Sequence, residues 1–177
     1  MPTEVMTYYM NHQDMYLRLG FQMVMQCAPF LKGMKAASLI LVREELCGAF
    51  ETLLGGMNIF WKVLSGNKGK SLVLFYRKDC LESCLKHPGA QTILRKTGYE
   101  SENLDEMLDA LAERITEQQI CSGKFPHEIG LFLGYPPEDV EDFIRKKGKE
   151  FLFIGYWKVY HLSLIHILCY TPLNKFL

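Results

Sequence analysis

The sequence feature that most constrains the fold is a pair of apolar segments on either side of a short polar turn. MNIFWKVL (57–64) and SLVLFYR (71–77) flank SGNKGK, whose glycine and asparagine residues favour a tight reversal of the chain. This arrangement predicts a β-hairpin. AASLILV (36–42) is a short apolar run typical of a buried strand, so we expect a further strand there.

The segment before these strands is predicted to be helical. Asn11 or Asp14 is suited to cap a helix that runs to about Gln26, with apolar residues along one stripe. Pro29 disfavours helical backbone at the residue before it. We therefore expect this helix to end near Cys27.

The clearest helix is predicted from Asn103 to Gln119. Its apolar residues follow the 3.6-residue period, and Asn103 with Glu106 resembles a capping box. Other helices are predicted at 43–54, at 78–95 with an interruption at 87–89, and on both sides of a turn within 126–147. The apolar run 151–160 predicts a final strand. The sum is an α+β fold, in which a small mixed or antiparallel sheet is covered by helices in one domain, residues 1–160.

Composition excludes several classes of protein. The 20 Lys and Arg residues balance the 20 Asp and Glu residues, so no net charge attracts a polyanion. No window reaches the roughly 18 apolar residues of a membrane span, and the N-terminus lacks a signal-peptide pattern. Without a secretion signal, the six cysteines are expected to be free thiols, which predicts a cytoplasmic location.

The segment FPHEIGLFLGYPPEDVEDFIRKKG (125–148) has the outline of a DNA-reading helix-turn-helix. A recognition helix depends on Lys and Arg to approach phosphates. Here the first two turns of the second helix carry four carboxylates: Glu138, Asp139, Glu141 and Asp142. These suit the positive end of a helix dipole, so a capped structural helix is the favoured interpretation and DNA binding is not expected.

Two residues at the start of this segment could carry chemistry. His127 follows Pro126 near a helix N-terminus, where it could bind a metal, accept a proton, or simply be a buried or capping residue. The H-E-x-x-H pattern of zinc proteases is absent. Cys27 is the candidate nucleophile if the fold brings it to His127, but a helix C-terminus raises a thiol pKa, and core packing is the favoured alternative.

Cys80 and Cys84 lie one helical turn apart, with His87 three residues further on, and this spacing could supply three soft metal ligands. A zinc ion would require a fourth ligand from elsewhere. Cysteine is also a small core residue, so packing explains the two thiols as simply.

A small-ligand site is predicted around the GYWKVY segment (155–160). Alternation places Tyr156 and Lys158 on the same face of a strand. If that face opens beside His127 and Glu128, with Arg77 nearby, these five side chains would line a ligand pocket. Basic residues on the hairpin, with aromatic residues between them, could instead bind RNA or an anionic ligand, or form an ordinary solvated face.

Four segments together resemble members of a bacterial family, the domain of unknown function numbered 3793. They are CAPFLKGMKAASL (27–39), LVLFYRK (72–78), FPHEIGLFLGYPPEDVEDFI (125–144) and GYWKVY (155–160). The resemblance covers about residues 10–160 and implies a fold and a bacterial origin, without an assigned activity. Family members usually continue into a polar helical segment, whereas LSLIHI (162–167) resembles a translated sequencing adapter. We therefore expect residues 161–177 to be a non-native tail.

Three functions are compatible with these patterns. The leading hypothesis is a cytoplasmic domain that binds a small molecule or a protein partner. The first alternative is a thiol- or metal-dependent enzyme that uses Cys27, or Cys80 and Cys84, with His127. The second alternative is a nucleic-acid-binding regulator. No cofactor, reaction or oligomeric state is predicted.

Overall fold

The computed structural model describes residues 3–122, 125–155 and 157–161. Within these ranges the chain forms eight α-helices, one 3-10 helix and five strands. In chain order they are α1 Thr3–Met10, α2 Met15–Leu31, β1 Ala37–Arg43, the 3-10 helix Glu44–Ala49, α3 Phe50–Leu54, β2 Phe60–Asn67, β3 Lys70–Tyr76, α4 Lys78–Leu85, α5 Pro88–Lys96, α6 Leu104–Ser122, α7 Ile129–Phe132, α8 Pro137–Arg145, β4 Phe153–Ile154 and β5 Lys158–Val159.

The predicted hairpin is confirmed as β2 and β3, and its strands extend further into the polar turn than the pattern indicated. Lys68 and Gly69 alone form the loop, with φ values of 50° and 72°. Two successive positive φ values match the twist of the flanking strands. β1 pairs with the other edge of β3, so the sheet has the order β1-β3-β2 and every pair in it is antiparallel.

Helices cover both faces of this sheet, which confirms the predicted α+β class. Val73 and Phe75 of β3 point towards α2, the 3-10 helix and α3. Leu72 and Leu74 point to the opposite face, where α4 to α8 form the larger apolar cluster. Because β3 is the central strand, nearly all of its side chains are buried.

Two predicted helix starts are confirmed by their capping bonds. The Asp14 carboxylate accepts from the backbone N–H groups of Tyr16 and Leu17 at 2.8 and 3.3 Å. The Asn103 side chain accepts from the N–H groups of Asp105 and Glu106 at 2.9 and 3.3 Å. Such bonds satisfy N–H groups that have no partner inside the helix.

The expected end of the first long helix near Cys27 is wrong. α2 continues to Leu31 with Pro29 inside it. Tertiary contacts stabilise the last turn: Phe30 is fully buried, and the Arg77 guanidinium donates to the Phe30 carbonyl at 2.6 Å. The sequence patterns did not predict α1, which has no buried residue. The Tyr9 ring of α1 stacks on the Phe21 ring of α2, with the ring centres 4.9 Å apart.

The expectation of one strand at 151–160 is also wrong. The segment is a small hairpin of β4 and β5, with two residues in each strand. Next to the paired residues Ile154 and Lys158, the Gly155 N–H donates to the Trp157 carbonyl at 2.9 Å. Contacts with α8 described below hold the hairpin in place.

The helix-turn-helix-like corner consists of α7, a turn, and α8. Gly134 ends α7 with a φ of 74°, as a left-handed residue after a helix requires. Gly130 lies where a Cβ atom would stand 2.9 Å from Val140 Cγ2, so α7 and α8 approach each other too closely for a larger side chain. Among the described residues, no helix combines the length and apolarity that a membrane crossing requires.

Candidate functional site

A cavity of about 360 Å³ lies between the α7–α8 corner and the β4–β5 hairpin. Its walls are mostly apolar and aromatic. They include Phe125 and Pro126 before α7, Tyr135 in the turn, Val140 and Phe143 on α8, and Ile154, Trp157 and Lys158 on the hairpin. The volume is within the range of small-molecule sites, and a few polar groups set in apolar walls are typical of them.

Asp139 attaches the hairpin wall of the cavity to α8. Its side chain is only 1% exposed and accepts from the Trp157 indole Nε1–H at 2.9 Å. It also accepts from the backbone N–H groups of Tyr160 and His161, both at 3.0 Å. A buried carboxylate is stable when several donors replace its lost water. Asp139 is therefore a structural anchor, and its charge faces these donors.

Aromatic contacts fix two more walls. The Tyr135 and Trp157 rings stack with centroids 4.6 Å apart and planes inclined by 23°. The Lys35 ammonium lies 5.0 Å from the Tyr135 ring centre. On the opposite side, the His127 ring meets Phe143 edge-on at 5.1 Å. Contacts within the protein hold these rings in place, so little ordering is left for binding.

Lys158 supplies positive charge to the cavity. Its ammonium donates to the Gly148 carbonyl at 2.6 Å and lies 5.0 Å from the Phe151 ring centre. It is also 5.8 Å from the ring centre of Phe143, the same ring that His127 contacts. The predicted meeting of His127 and Lys158 at one cavity is therefore present. Tyr156 lies outside the described residues.

Two other members of the predicted site lie elsewhere. Glu128 is buried behind the cavity, where its carboxylate accepts from Arg114 Nε at 2.8 Å. Burial, together with the Glu128 carboxylate, raises the pKa of the neighbouring Tyr99. Arg77 joins α2 to the start of α4, with its guanidinium 4.7 Å from the Phe30 ring centre. Both residues hold helices together and do not line the cavity.

The candidate nucleophile Cys27 is fully buried in the cluster beneath α2. Burial raises the pKa of its thiol, although a Ser38 hydrogen bond and the Lys35 charge act in the opposite direction. A buried thiol with a raised pKa is a poor nucleophile. Cys27 does not line the cavity that contains His127.

The three candidate metal ligands, Cys80 and Cys84 on α4 and His87 at the start of α5, differ in exposure and in partners. Cys80 is exposed, Cys84 is half-buried with its thiol pKa raised by burial and by Cys80, and the His87 ring accepts from the Gly89 N–H at 3.2 Å. His87 thus caps α5. Across the part of the chain that the structure describes, no three His, Cys, Asp or Glu side chains form a group suited to a metal ion.

The four carboxylates of α8 separate into two pairs. Asp139 and Asp142 are buried, whereas Glu138 and Glu141 are exposed. Asp142 interacts with Lys146 at 2.9 Å and with His161 at 3.2 Å. Hydrogen bonds from Lys146 and Arg145 lower the pKa of Asp142 to about 2 against the opposing effect of burial. Asp139 and Asp142 therefore make structural contacts inside the α7–α8 corner.

Sequence patterns missed the aromatic walls and the anchoring role of Asp139. A signal was present: Asp139, Asp142 and Phe143 share one face of a helix by their three- and four-residue spacing, with Val140 beside them. Acidic residues on the apolar face of a helix indicate buried partners.

The fold and its cavity define an α+β domain in which a helical corner and a small hairpin enclose an aromatic pocket. The chain belongs to the family described as "Protein of unknown function (DUF3793)", whose model matches residues 23–163. The match includes the whole sheet, the corner and every described wall of the cavity. No curated protein and no solved structure matches the chain.

Proposed function

We propose that this domain binds a small, largely apolar molecule in the cavity between α8 and the β4–β5 hairpin. The observation that carries this proposal is the cavity itself, about 360 Å³ in volume, with aromatic walls and two basic side chains, His127 and Lys158. Burial of a flat apolar ligand against these walls would gain roughly 25 cal/mol for each Å² removed from water.

Preorganised walls support the proposal further. Asp139 fixes the Trp157 indole, and the stack on Tyr135 fixes its plane. A ligand that enters does not have to immobilise these side chains, which otherwise costs about 0.5–1.5 kcal/mol for each. Rings that merely filled a core would leave no open space between them.

The test is a titration with 2-naphthamide, a neutral flat probe, followed by the indole N–H signals in 1H–15N spectra. The chain has two tryptophans, and Trp61→Phe assigns the Trp157 signal. We expect a saturable shift of the Trp157 signal. Phe143→Ala removes a cavity wall and should weaken binding about five- to tenfold.

Ile144→Ala is the matched control, because Ile144 is the next residue of α8 and does not line the cavity. Thermal unfolding of both variants establishes that each is folded. No saturable shift, or equal affinity in the two variants, would overturn the proposal.

The enzyme and nucleic-acid alternatives have less support. Cys27 is buried and does not line the cavity that contains His127, and the His87 ring accepts from the Gly89 N–H as a helix cap, which argues against nucleophilic chemistry by these residues. Glu138 and Glu141 present negative charge on the exposed side of α8, which would repel duplex phosphates. We propose that α8 does not read DNA. Tight duplex binding that weakens steeply with salt would contradict this.

We further propose a cytoplasmic location in a bacterium. Cys27, Cys47, Cys80 and Cys84 are free thiols, as expected in a reducing compartment. Fractionation of cells that produce the protein, with alkylation of thiols before lysis, tests this. Recovery with oxidised cysteines outside the cytoplasm would refute it.

A further inference from the structure

The cavity holds positive charge that no described acidic side chain neutralises. The Lys158 ammonium donates to the Gly148 carbonyl, and its other described neighbours are aromatic rings. An ammonium has three N–H donors, so two are left for another acceptor. Among the described residues, none of the ion pairs includes Lys158.

His127 adds a second donor beside the same ring. Its side chain is exposed, and within the described ranges its ring contact is with Phe143. An imidazole carries at least one N–H donor in each of its protonation states. Lys158 and His127 therefore provide hydrogen-bond donors around Phe143, in a cavity whose other walls are mostly apolar but include Asp139.

The acidic groups near the cavity are engaged with other partners. Asp139 accepts from the Trp157 indole and two backbone N–H groups. Glu128 is paired with Arg114 behind α7. Asp139 lines the cavity, but its carboxylate already accepts from three donors, and Glu128 is paired outside the cavity. Lys158 is a charged group of the lining that has N–H donors left for a ligand.

We propose that the ligand of this cavity is an aromatic carboxylate, with its ring between the aromatic walls and its carboxylate on Lys158 and His127. This proposal rests on the proposed small-molecule function and adds the chemical class. A single lysine with an imidazole suits a carboxylate with one negative charge. Phosphate groups are usually held by several backbone N–H groups or by arginine, and none of the described residues that line the cavity is an arginine.

The test compares two probes of nearly the same shape, 2-naphthoate and 2-naphthamide, by the shift of the Trp157 indole signal. We expect the acid to bind about fivefold more tightly than the amide at low salt, because a partly buried ion pair contributes about 1 kcal/mol. This preference should shrink as salt screens the charge. Equal affinities would overturn the carboxylate proposal and leave the small-molecule function standing.

Substitution of the lysine provides the second arm. Lys158→Met keeps the apolar stem and removes the charge, so the affinity ratio of acid to amide should fall to about one. Lys149→Met is the matched control at an exposed lysine outside the cavity, and it should retain the ratio. A ratio unchanged in Lys158→Met would refute the assignment of Lys158.

The wild-type comparison keeps the proposal testable if Lys158→Met does not fold. A titration in which neither probe binds would remove the proposed function together with this inference. A titration in which only the amide binds would remove the inference alone.

Discussion

Replacement of Asp139 by asparagine tests whether the helical corner is built around a buried anchor. An asparagine side chain has one carboxamide oxygen and one NH2 group. Its oxygen can still accept from the backbone N–H groups of Tyr160 and His161. Its NH2 group would then face the Trp157 indole N–H, so one hydrogen bond is lost and two donors oppose each other.

The expected cost follows from the strength of these bonds. A hydrogen bond to a charged group contributes roughly 1.5–3 kcal/mol, and a buried donor without a partner costs about 1–3 kcal/mol. We expect Asp139→Asn to lower the free energy of unfolding by about 2–3 kcal/mol. Asp139→Ala leaves all three donors without the carboxylate and should cost about 3–5 kcal/mol, since such effects do not add fully.

Urea unfolding of the variants measures these differences. Glu138→Gln is the control, because Glu138 is the preceding residue of α8 and is exposed. It should change stability by less than about 0.5 kcal/mol. The indole signal of Trp157 should move in Asp139→Asn and stay in place in Glu138→Gln. If Asp139→Asn is as stable as Glu138→Gln, the anchor argument is wrong.

Three further predictions concern packing, pH and thiol reactivity. Gly130→Ala should lower the free energy of unfolding, measured by thermal unfolding, by about 1–3 kcal/mol because its methyl group would overlap Val140. Gly48→Ala, with open space around it, should be close to neutral. Equal effects would contradict the close approach of α7 and α8. Asp142→Asn should lower the free energy of unfolding by about 1 kcal/mol at pH 7 after allowance for screening by water, because the pKa of Asp142 in the folded protein lies below its ordinary value. The difference in stability from wild type should disappear as the pH falls from about 4 towards 2. A difference that grows on acidification would refute this prediction. Cys80 should react with a thiol reagent at least about 100-fold faster than Cys27 in the folded protein. Mass spectrometry of timed samples measures the two rates, and comparable rates would contradict the burial of Cys27.

The sequence was sufficient for those parts of the fold that depend on local chemistry. A polar turn between two apolar runs predicts the β2–β3 hairpin. Asp14 and Asn103 mark helix starts because their side chains can cap backbone N–H groups within three residues. These features need no information about the rest of the chain, so a local pattern predicts them correctly.

The errors occur where distant residues decide the outcome. The helical turn after Pro29 is stabilised by burial of Phe30 and by Arg77, 47 residues after Phe30, which donates to the Phe30 carbonyl. The segment 151–160 bends into a hairpin because Asp139 binds the Trp157 side chain and the backbone beyond it. No local period contains this information.

The candidate site shows the same division. His127 and Lys158 were both identified from residue type and position, and the structure places them at one cavity. The prediction that Glu128 lines the ligand site with His127 differs from the structure, in which Glu128 is buried outside the cavity. The partner of Glu128 is Arg114 on α6, a contact that only the folded chain creates.

The most direct measurement of the central claim is a map of backbone amide shifts in 1H–15N spectra during titration with 2-naphthoate. The account predicts that saturable shifts are confined to residues 125–130, 139–143, 154–155 and 157–158, around the cavity. Shifts centred on the β2–β3 hairpin, on Arg77, or spread evenly over the molecule would contradict it.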